Sequence, residues 1–260
     1  MVSLAFIGTI QHDIARDAMR RLVDTIKADA QADCIVVCNA NGLFSTASKL
    51  DEQLGILFDC GIDLVTVGEQ AISRSACRSV FAKAEWPVIK AANLAGSTTG
   101  TSIKTISHSG CTLHFVCTMD GTGKVPSGYP HEILEEFFKN KKDKFPVVIN
   151  ENGNDFRYLK ALAWKYSDRD YPVMVFGSGT GVQTGISKQF TQNCLLQCDV
   201  GSVATENTIY GIDTQQWWTK AIDRRPITLL PKWGSLLCDY TIVWLNSEKI
   251  EKFSVKSVRI

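Results

Sequence analysis

Oxygen-bearing and very small residues follow most of the apolar runs in this chain, and these are the residue types that commonly surround bound ligands. The segments in question are Gly8-Thr9, Asn39–Gly42, Gly68-Glu69-Gln70, Asn150-Glu151-Asn152-Gly153-Asn154, Gly177–Thr184 and Asp199–Ser202. In open α/β sheets, ligands bind beyond the carboxyl ends of the strands. We therefore expect whatever chemistry the chain performs to lie at these six segments.

The amides and carboxylates of these segments leave one cation site open as a possibility. Asn41, Glu69, Asn152 and Asp199 could cluster and hold a single hard cation, because such cations prefer oxygen ligands. One or two carboxylates make a poor calcium or magnesium site, so we expect any such binding to be weak.

His12 and Asp13 follow the first segment and could in principle contribute a ligand there. The apolar spacing that begins at Ile14 predicts a helix, and Asp13 then suits the role of its N-cap or first-turn anion. We interpret the pair as part of this helix start.

The stretch Gly177–Gly181 reads GSGTG and invites comparison with a phosphate-binding loop. Backbone amides of such loops can cradle an anion. The stretch lacks both the Gly-Lys-Ser/Thr ending and the GxGxxG frame of nucleotide-binding loops. We interpret its glycines as loop residues and not as a nucleotide site.

Alternating hydrophobic patterns predict the elements that must position these segments. Strands are expected over Ser3–Gly8, Cys34–Cys38, Ile62–Val67, Thr112–Thr118, Pro146–Ile149 and Pro172–Phe176, with helices over Ile14–Ala28, Lys49–Asp59, Ala71–Lys83, Glu132–Lys142 and Asp155–Tyr166. Ala95–Gly110 is predicted to be loop and weak β. An antiparallel β unit is expected over about 227–260. The alternation indicates an α/β class and a single domain over 1–260.

Composition excludes several classes of function. The 260 residues carry a net charge of +1, so no global field favours nucleic acid or an acidic membrane surface. No apolar run approaches the roughly 20 residues of a membrane-spanning helix. Nine cysteines with no CxxC pair favour free thiols in a reducing cytoplasm over a zinc site.

Two further patterns have surface interpretations. The run Lys139–Lys144 is predicted to be a solvated helix end, where cations complement the helix dipole. Trp217-Trp218 could anchor an interface. Core packing, or a cover over a sheet face, is the more frequent outcome for such a pair.

Five short motifs follow one another along the chain. They are Phe6-Ile7-Gly8-Thr9, Asn39-Ala40-Asn41, Thr66-Val67-Gly68-Glu69-Gln70, Gly177-Ser178-Gly179-Thr180-Gly181-Val182-Gln183-Thr184 and Cys198-Asp199-Val200-Gly201-Ser202. In order and spacing they resemble motifs of the bacterial YmdB-like family within the calcineurin-like metallophosphoesterases. The resemblance extends over nearly the whole chain. It implies a metallophosphoesterase-like sandwich of two mixed β-sheets flanked by helices.

The same resemblance implies a metal centre whose ligands this chain has replaced. The family cleaves phosphodiesters, with a preference for 2′,3′-cyclic nucleotides, on two metal ions. The positions that match its ligands are Thr9, Ala40, Asn41, Glu69, Gln70, Asn152, Gly179 and Gly181. Of these, Asn41 alone keeps the family's residue type. Two metal ions need carboxylate and imidazole ligands around them, so we expect no metal, no cofactor and no catalytic residue.

Three functional hypotheses follow from the resemblance. The first is a non-catalytic homologue that binds or scaffolds, through a protein partner, a homo-oligomer or a small ligand in the emptied cleft. The second is a phosphodiesterase with a residual or rebuilt site, to which Glu69, Glu151, Asp155 and Asp199 would contribute. The third is a sensor that binds nucleotide or RNA without cleaving it, and the near-neutral charge argues against RNA.

Overall fold

Sixteen strands and seven α-helices make up the computed structural model in the residues it describes, which are 1–31, 33–83, 85–94, 99–120, 127–153, 155–185 and 187–260. The helices, numbered in chain order, are α1 Arg16–Ala30, α2 Asn41–Thr46, α3 Leu50–Asp59, α4 Ser75–Lys83, α5 Pro130–Asn140, α6 Phe156–Lys165 and α7 Thr214–Ala221. A 3₁₀ turn over Glu69–Ile72 precedes α4.

The first large sheet holds eight strands. They are β1 Val2–Ile7, β2 Thr9–Ile10, β3 Cys34–Asn39, β4 Leu64–Val67, β5 Val88–Lys90, β12 Ser202–Thr205, β15 Leu236–Leu245 and β16 Ile250–Arg259. Their order is β2-β12-β15-β1-β3-β4-β5, with β16 beside β15. Strands β1, β3, β4 and β5 run parallel, whereas β15 runs antiparallel to β1.

The second large sheet holds six strands. They are β6 Ile103–His108, β7 Cys111–Thr118, β8 Val147–Glu151, β9 Val173–Gly177, β10 Ser187–Thr191 and β11 Cys194–Gln197, in the order β10-β11-β9-β8-β7-β6. Two short strands, β13 Thr208–Ile209 and β14 Ile212–Asp213, pair separately.

The two large sheets pack face to face across the main core. Phe6 on β1 stacks on Phe176 on β9, with ring centroids 4.9 Å apart. A second core lies on the outer face of the second sheet, where Ile149 and Val175 pack with Leu134 of α5 and Leu159 of α6. Because side chains alternate along a strand, β8 contributes residues to both cores in turn. The predicted sandwich of two mixed sheets with flanking helices is confirmed.

The predicted strands and helices of the first half are found with small shifts at their ends. Helix α1 begins at Arg16, and its N-cap is Ala15, while Asp17 is the first-turn anion. The prediction that Asp13 fills either role is therefore wrong, because the helix starts later than its apolar spacing suggested.

Two further predictions need correction. Ile103–His108, expected to be loop and weak β, forms the edge strand β6 and pairs along its length with β7. Residues 95–98 of that stretch lie outside the described residues. The basic run is not wholly solvated, since the Lys141 side chain is 2% exposed and its Nζ lies 2.6 Å from Asp143 Oδ1.

The chain's tail contains the expected antiparallel hairpin, in which β15 pairs with β16. It begins at Leu236, later than residue 227, because 227–235 belongs to an exposed segment outside both large sheets. The extent of a single domain over all 260 residues stays a prediction. None of the described helices is both long enough and apolar enough to cross a membrane.

Candidate functional site

The strand-end site is built on two asparagines that end buried strands. Asn39 is the last residue of β3 in the first sheet, and Asn150 lies near the end of β8 in the second. Both side chains point between the sheets and are almost fully buried. A buried amide must find hydrogen-bonding partners, because leaving it unpaired costs roughly 1–3 kcal/mol.

These two amides meet at Ser178, which follows β9. Asn39 Nδ2 donates to Ser178 Oγ at 3.0 Å, and Asn150 Nδ2 donates to the same oxygen at 2.9 Å. Asn39 Nδ2 also donates to Asn152 Oδ1 at 2.5 Å. Asn152 Nδ2 in turn reaches Cys117 Sγ at 3.1 Å. We call Asn39, Asn150, Asn152, Ser178 and Cys117 the amide cluster.

Asn41, the position at which the resemblance predicts a retained ligand, lies beside the cluster and binds backbone groups. Its Oδ1 accepts from the backbone N–H of Gly68 at 3.0 Å and of Gln70 at 3.1 Å. Asn41 thereby fixes the start of the 3₁₀ turn. Gln70 Nε2 contacts Glu69 Oε1 at 3.3 Å, so these two predicted positions pair with each other.

Two further predicted positions, Thr9 and Ala40, have different surroundings. Thr9 Oγ1 donates to the Ser178 carbonyl at 2.9 Å and so joins the cluster's edge. Ala40 is fully buried in the main apolar core. The structure therefore gathers Thr9 and Asn152 around Ser178, and it places Asn41, Glu69 and Gln70 in an adjoining group.

Gly179 and Gly181 lie where side chains have little room. A Cβ on Gly179 would lie 2.1 Å from the Gly153 carbonyl oxygen. Gly181 has a φ of +65°, and a Cβ there would lie 2.8 Å from Gln11 Nε2. The Gly153 backbone and the Gln11 side chain therefore occupy the space that side chains at these positions would need. Asn154, the last residue of the fourth segment, lies outside the described residues.

Asp199 holds the GSGTG loop in place. Its Oδ2 accepts from the Thr180 backbone N–H and hydroxyl, both at 2.7 Å, and its Oδ1 accepts from Gly201 N–H at 2.7 Å. Burial raises the pKa of Asp199 above its usual range, and these hydrogen bonds oppose the shift. The loop interpretation of these glycines agrees with this geometry.

Glu151 is buried on the other face of the second sheet, next to α6. Thr118 Oγ1 donates to its Oε2, while Oε1 has no hydrogen-bond partner among the described residues. Burial raises the pKa of Glu151 to about 8; the Thr118 hydrogen bond lowers it, and nearby Asp120 raises it. Glu151 therefore does not face the amide cluster, although it precedes Asn152 in sequence.

Two remaining candidates also have structural partners. Asp155 caps α6, accepting from Arg157 N–H at 2.9 Å. His12 is buried, with Nδ1 2.7 Å from the Asp13 carbonyl and Nε2 3.3 Å from Thr205 Oγ1.

Four residues of the cluster were not among the predicted ligand positions, namely Asn39, Asn150, Ser178 and Cys117, although the first three lie in the predicted segments. The usable signal was an asparagine that closes an otherwise apolar strand, in CIVVCN and in VVIN. Such a residue must find a buried partner.

The donors present do not fit a two-metal centre. A pair of transition metals needs carboxylate and imidazole ligands. Among the residues that the structure describes, no three His, Cys, Asp or Glu side chains gather where they could hold a metal ion. The oxygens that are present, such as Asn41 Oδ1 and Ser178 Oγ, already accept two hydrogen bonds each. No reaction step through metal can be derived from these residues.

Several solved structures share this fold. A hypothetical protein from Thermus thermophilus is 19% identical and has a TM-score of 0.84, with 99% of each chain covered. A phosphatase from Mycoplasma pneumoniae is 15% identical and has a TM-score of 0.83, with 100% of this chain and 93% of that one covered. A 5′-nucleotidase precursor from Thermus thermophilus is 9% identical with a TM-score of 0.55, and the match covers 99% of this chain and 54% of that one.

The family follows from a sequence comparison. The family model described as YmdB-like protein matches residues 5–258, and the chain belongs to that family. No curated protein matches the chain. The predicted family resemblance is thereby confirmed, whereas the predicted loss of the metal ligands stays a prediction.

Proposed function

We propose that this protein is a non-catalytic member of the YmdB-like family, which binds or scaffolds instead of hydrolysing phosphodiesters. The observation that carries the proposal is the amide cluster. Amide and hydroxyl groups at the strand ends satisfy one another, with Asn39 and Asn150 both donating to Ser178. Neutral groups cannot balance the charge of two metal ions or generate a hydroxide nucleophile.

The phosphodiesterase alternative relies on carboxylates that have separate partners. Glu151 is buried on the opposite face of the second sheet, and Asp155 caps α6. Asp199 accepts two hydrogen bonds from Thr180 of the GSGTG loop and one from Gly201. Of these four carboxylates, Glu69 has the weakest structural role, since its side chain accepts a hydrogen bond from the neighbouring Gln70. This dispersal favours the binding hypothesis over a rebuilt active site.

Turnover tests the proposal directly. The protein, purified without chelator and loaded with manganese, is assayed on bis-p-nitrophenyl phosphate and on 2′,3′-cyclic nucleotides. We expect no hydrolysis above the rate of a mock purification. Manganese-dependent turnover that Glu69→Gln abolishes would establish a rebuilt site and overturn the proposal.

A further inference from the structure

Gln11 has a buried side chain whose amide group is left without a partner. The residue directly follows β2 and is 7% exposed. Its backbone is anchored, because its N–H donates to the Val203 carbonyl at 3.2 Å and its carbonyl accepts from Thr46 Oγ1 at 3.4 Å. Its side-chain Oε1 and Nε2 form no hydrogen bond with any residue that the structure describes. Polar side chains buried to this extent almost always have partners, so the exception calls for an explanation.

This unpaired amide contrasts with other polar side chains at the strand ends. Thr9, Asn41 and Asp199 each bind a backbone group through their side chains. A leucine at position 11 would fill a similar volume without bringing an unpaired polar group into the interior. Gln11 is therefore expected to lower the stability of the chain without ligand, as residues of binding sites commonly do.

Two glycines show where the two ends of the amide lie. A Cβ on Gly42, in the first turn of α2, would lie 2.9 Å from Gln11 Oε1. A Cβ on Gly181, in the GSGTG loop, would lie 2.8 Å from Gln11 Nε2. The acceptor of the amide therefore lies beside one segment of the strand-end site and its donor beside another. Both glycines are partly exposed, so the amide lies just below the surface of this site.

An aromatic ring lies beside the same loop. Tyr210 Cε1 lies 3.5 Å from the position that a Cβ on Gly181 would take, so the ring edge and Gln11 Nε2 are a few ångströms apart. Tyr210 is 49% exposed and Gly179 is exposed, which leaves this side of the loop open to solvent. A partly exposed ring next to a buried amide suits a planar ligand, which packs against the ring while its polar edge pairs with the amide.

The residues around the amide favour a neutral ligand. The segments Gly8-Thr9, Asn39–Gly42 and Gly177–Thr184 contain no Lys or Arg that could balance an anion. The Asp199 carboxyl is bound to the same loop. Buried phosphate or carboxylate groups need cations or several N–H donors around them. A carboxamide matches Gln11 instead, because its N–H donates to Oε1 while its carbonyl accepts from Nε2.

We propose that Gln11 is the recognition residue of a small-ligand site, which takes a planar, neutral molecule with a carboxamide group. The ligand pairs its carboxamide with Gln11 and places its ring against Tyr210. The inference rests on the proposed function, since it names the ligand that the binding role engages. This ligand differs from the phosphodiesters that the family resemblance implies, because its recognition needs neither charge nor metal.

Benzamide is the probe, and the side-chain NH₂ resonances of Gln11 in an isotope-labelled sample report its binding. These resonances are identified by their loss in Gln11→Leu. A ligand with so few atoms is expected to bind with a dissociation constant on the order of 1 mM. Acetophenone has the same shape without the N–H donor, and benzoate carries a negative charge. Each is expected to bind at least about fivefold more weakly than benzamide.

Two variants test the site, with binding followed at the Gly181 backbone N–H. Gln11→Leu is expected to abolish benzamide binding and, without ligand, to raise the melting temperature by about 2–4 °C, because it removes an unpaired buried amide. Tyr210→Ala keeps the amide and is expected to weaken binding several-fold. The matched control is Gln192→Leu, which makes the same exchange in the exposed turn before β11 and should change neither value.

Gln11 resonances that stay unmoved at benzamide concentrations up to about 20 mM would overturn the site. Acetophenone or benzoate that binds as tightly as benzamide would do the same, and so would a lower melting temperature of Gln11→Leu, since the amide would then be structural. None of these outcomes bears on the turnover assay. Metal-dependent hydrolysis would contradict the proposed function, whatever the response to benzamide.

Discussion

Asn39 Nδ2 and Asn152 Oδ1 form a 2.5 Å hydrogen bond between residues that are 113 positions apart in sequence. Asn39 ends β3 in the first sheet, and Asn152 directly follows β8 in the second. The bond therefore joins the two layers of the sandwich at the edge where the family resemblance predicts the metal site. In this protein, amide and hydroxyl side chains bind one another at that edge.

Replacing Asn39 with alanine should destabilise the protein more than a surface change would. The variant removes a donor that serves Asn152 and Ser178 and leaves the Asn150–Ser178 pair in an enlarged space. Unpaired buried polar groups cost about 1–3 kcal/mol each, so we expect a loss of about 2–4 kcal/mol in the free energy of unfolding. Urea denaturation measures it.

The control for this variant is Asn140→Ala, because Asn140 lies exposed at the end of α5. Surface changes of this kind usually stay within about 0.5 kcal/mol. Equal effects of the two variants would show that the amide cluster does not stabilise the fold.

Restoring a histidine at Gly179 should not rebuild a metal site. A Cβ there would lie 2.1 Å from the Gly153 carbonyl oxygen, and backbone cannot move aside cheaply. Gly179→His is therefore expected to lower the free energy of unfolding by about 1–3 kcal/mol, as overpacking does. Thermal denaturation with and without manganese checks both expectations.

Gly185→His provides the comparison, since a Cβ on Gly185 meets nothing within 4 Å. It should leave the melting temperature almost unchanged. A Gly179→His variant that is as stable as Gly185→His, and that manganese stabilises further, would contradict the packing described here.

Stability should fall as the pH rises because of Glu151. Burial raises the pKa of this carboxyl to about 8 in the folded protein, against about 4.3 in an unfolded chain. Between these values the folded state holds a proton that the unfolded state has released, so the free energy of unfolding decreases with rising pH. Each pKa unit is worth about 1.4 kcal/mol, so a shift from about 4.3 to about 8 corresponds to a full effect on the order of 5 kcal/mol.

Glu151→Gln removes this titration while keeping an oxygen for the Thr118 hydroxyl. Its unfolding free energy, measured by urea at intervals between about pH 5 and pH 8, should decline less than that of the wild type by several kcal/mol. Glu132→Gln, at an exposed position on α5, should follow the wild-type curve. Parallel curves for wild type and Glu151→Gln would mean that Glu151 is charged at neutral pH.

Elements with a marked hydrophobic pattern, either a continuous apolar run or helical spacing, could be predicted from the sequence because burial dictates that pattern. All six residues of β1 are buried, and α1 buries Met19, Leu22, Val23 and Ile26 at helical spacing. Strand β6 and helix α7 were missed for the opposite reason. Neither buries any residue, so no hydrophobic period marks them.

The strand-end location of the site followed from the α/β pattern, whereas its internal contacts did not. Sequence order cannot show that Asn150 and Ser178, which belong to different segments, share a hydrogen bond with Asn39. Neither could it show that Glu151 and Asn152, although adjacent, face opposite sides of the second sheet. That follows from the alternation of side chains along β8 once its register is known.

The most direct test of the central claim is the amount of metal bound by the wild-type protein. The chain is loaded separately with manganese, iron and zinc, freed of unbound ions by gel filtration and analysed for metal by mass spectrometry. We predict far less than one equivalent of each metal per chain, because the amide cluster offers neutral groups that already bind one another. Two equivalents of any of these metals, retained after gel filtration, would contradict the account.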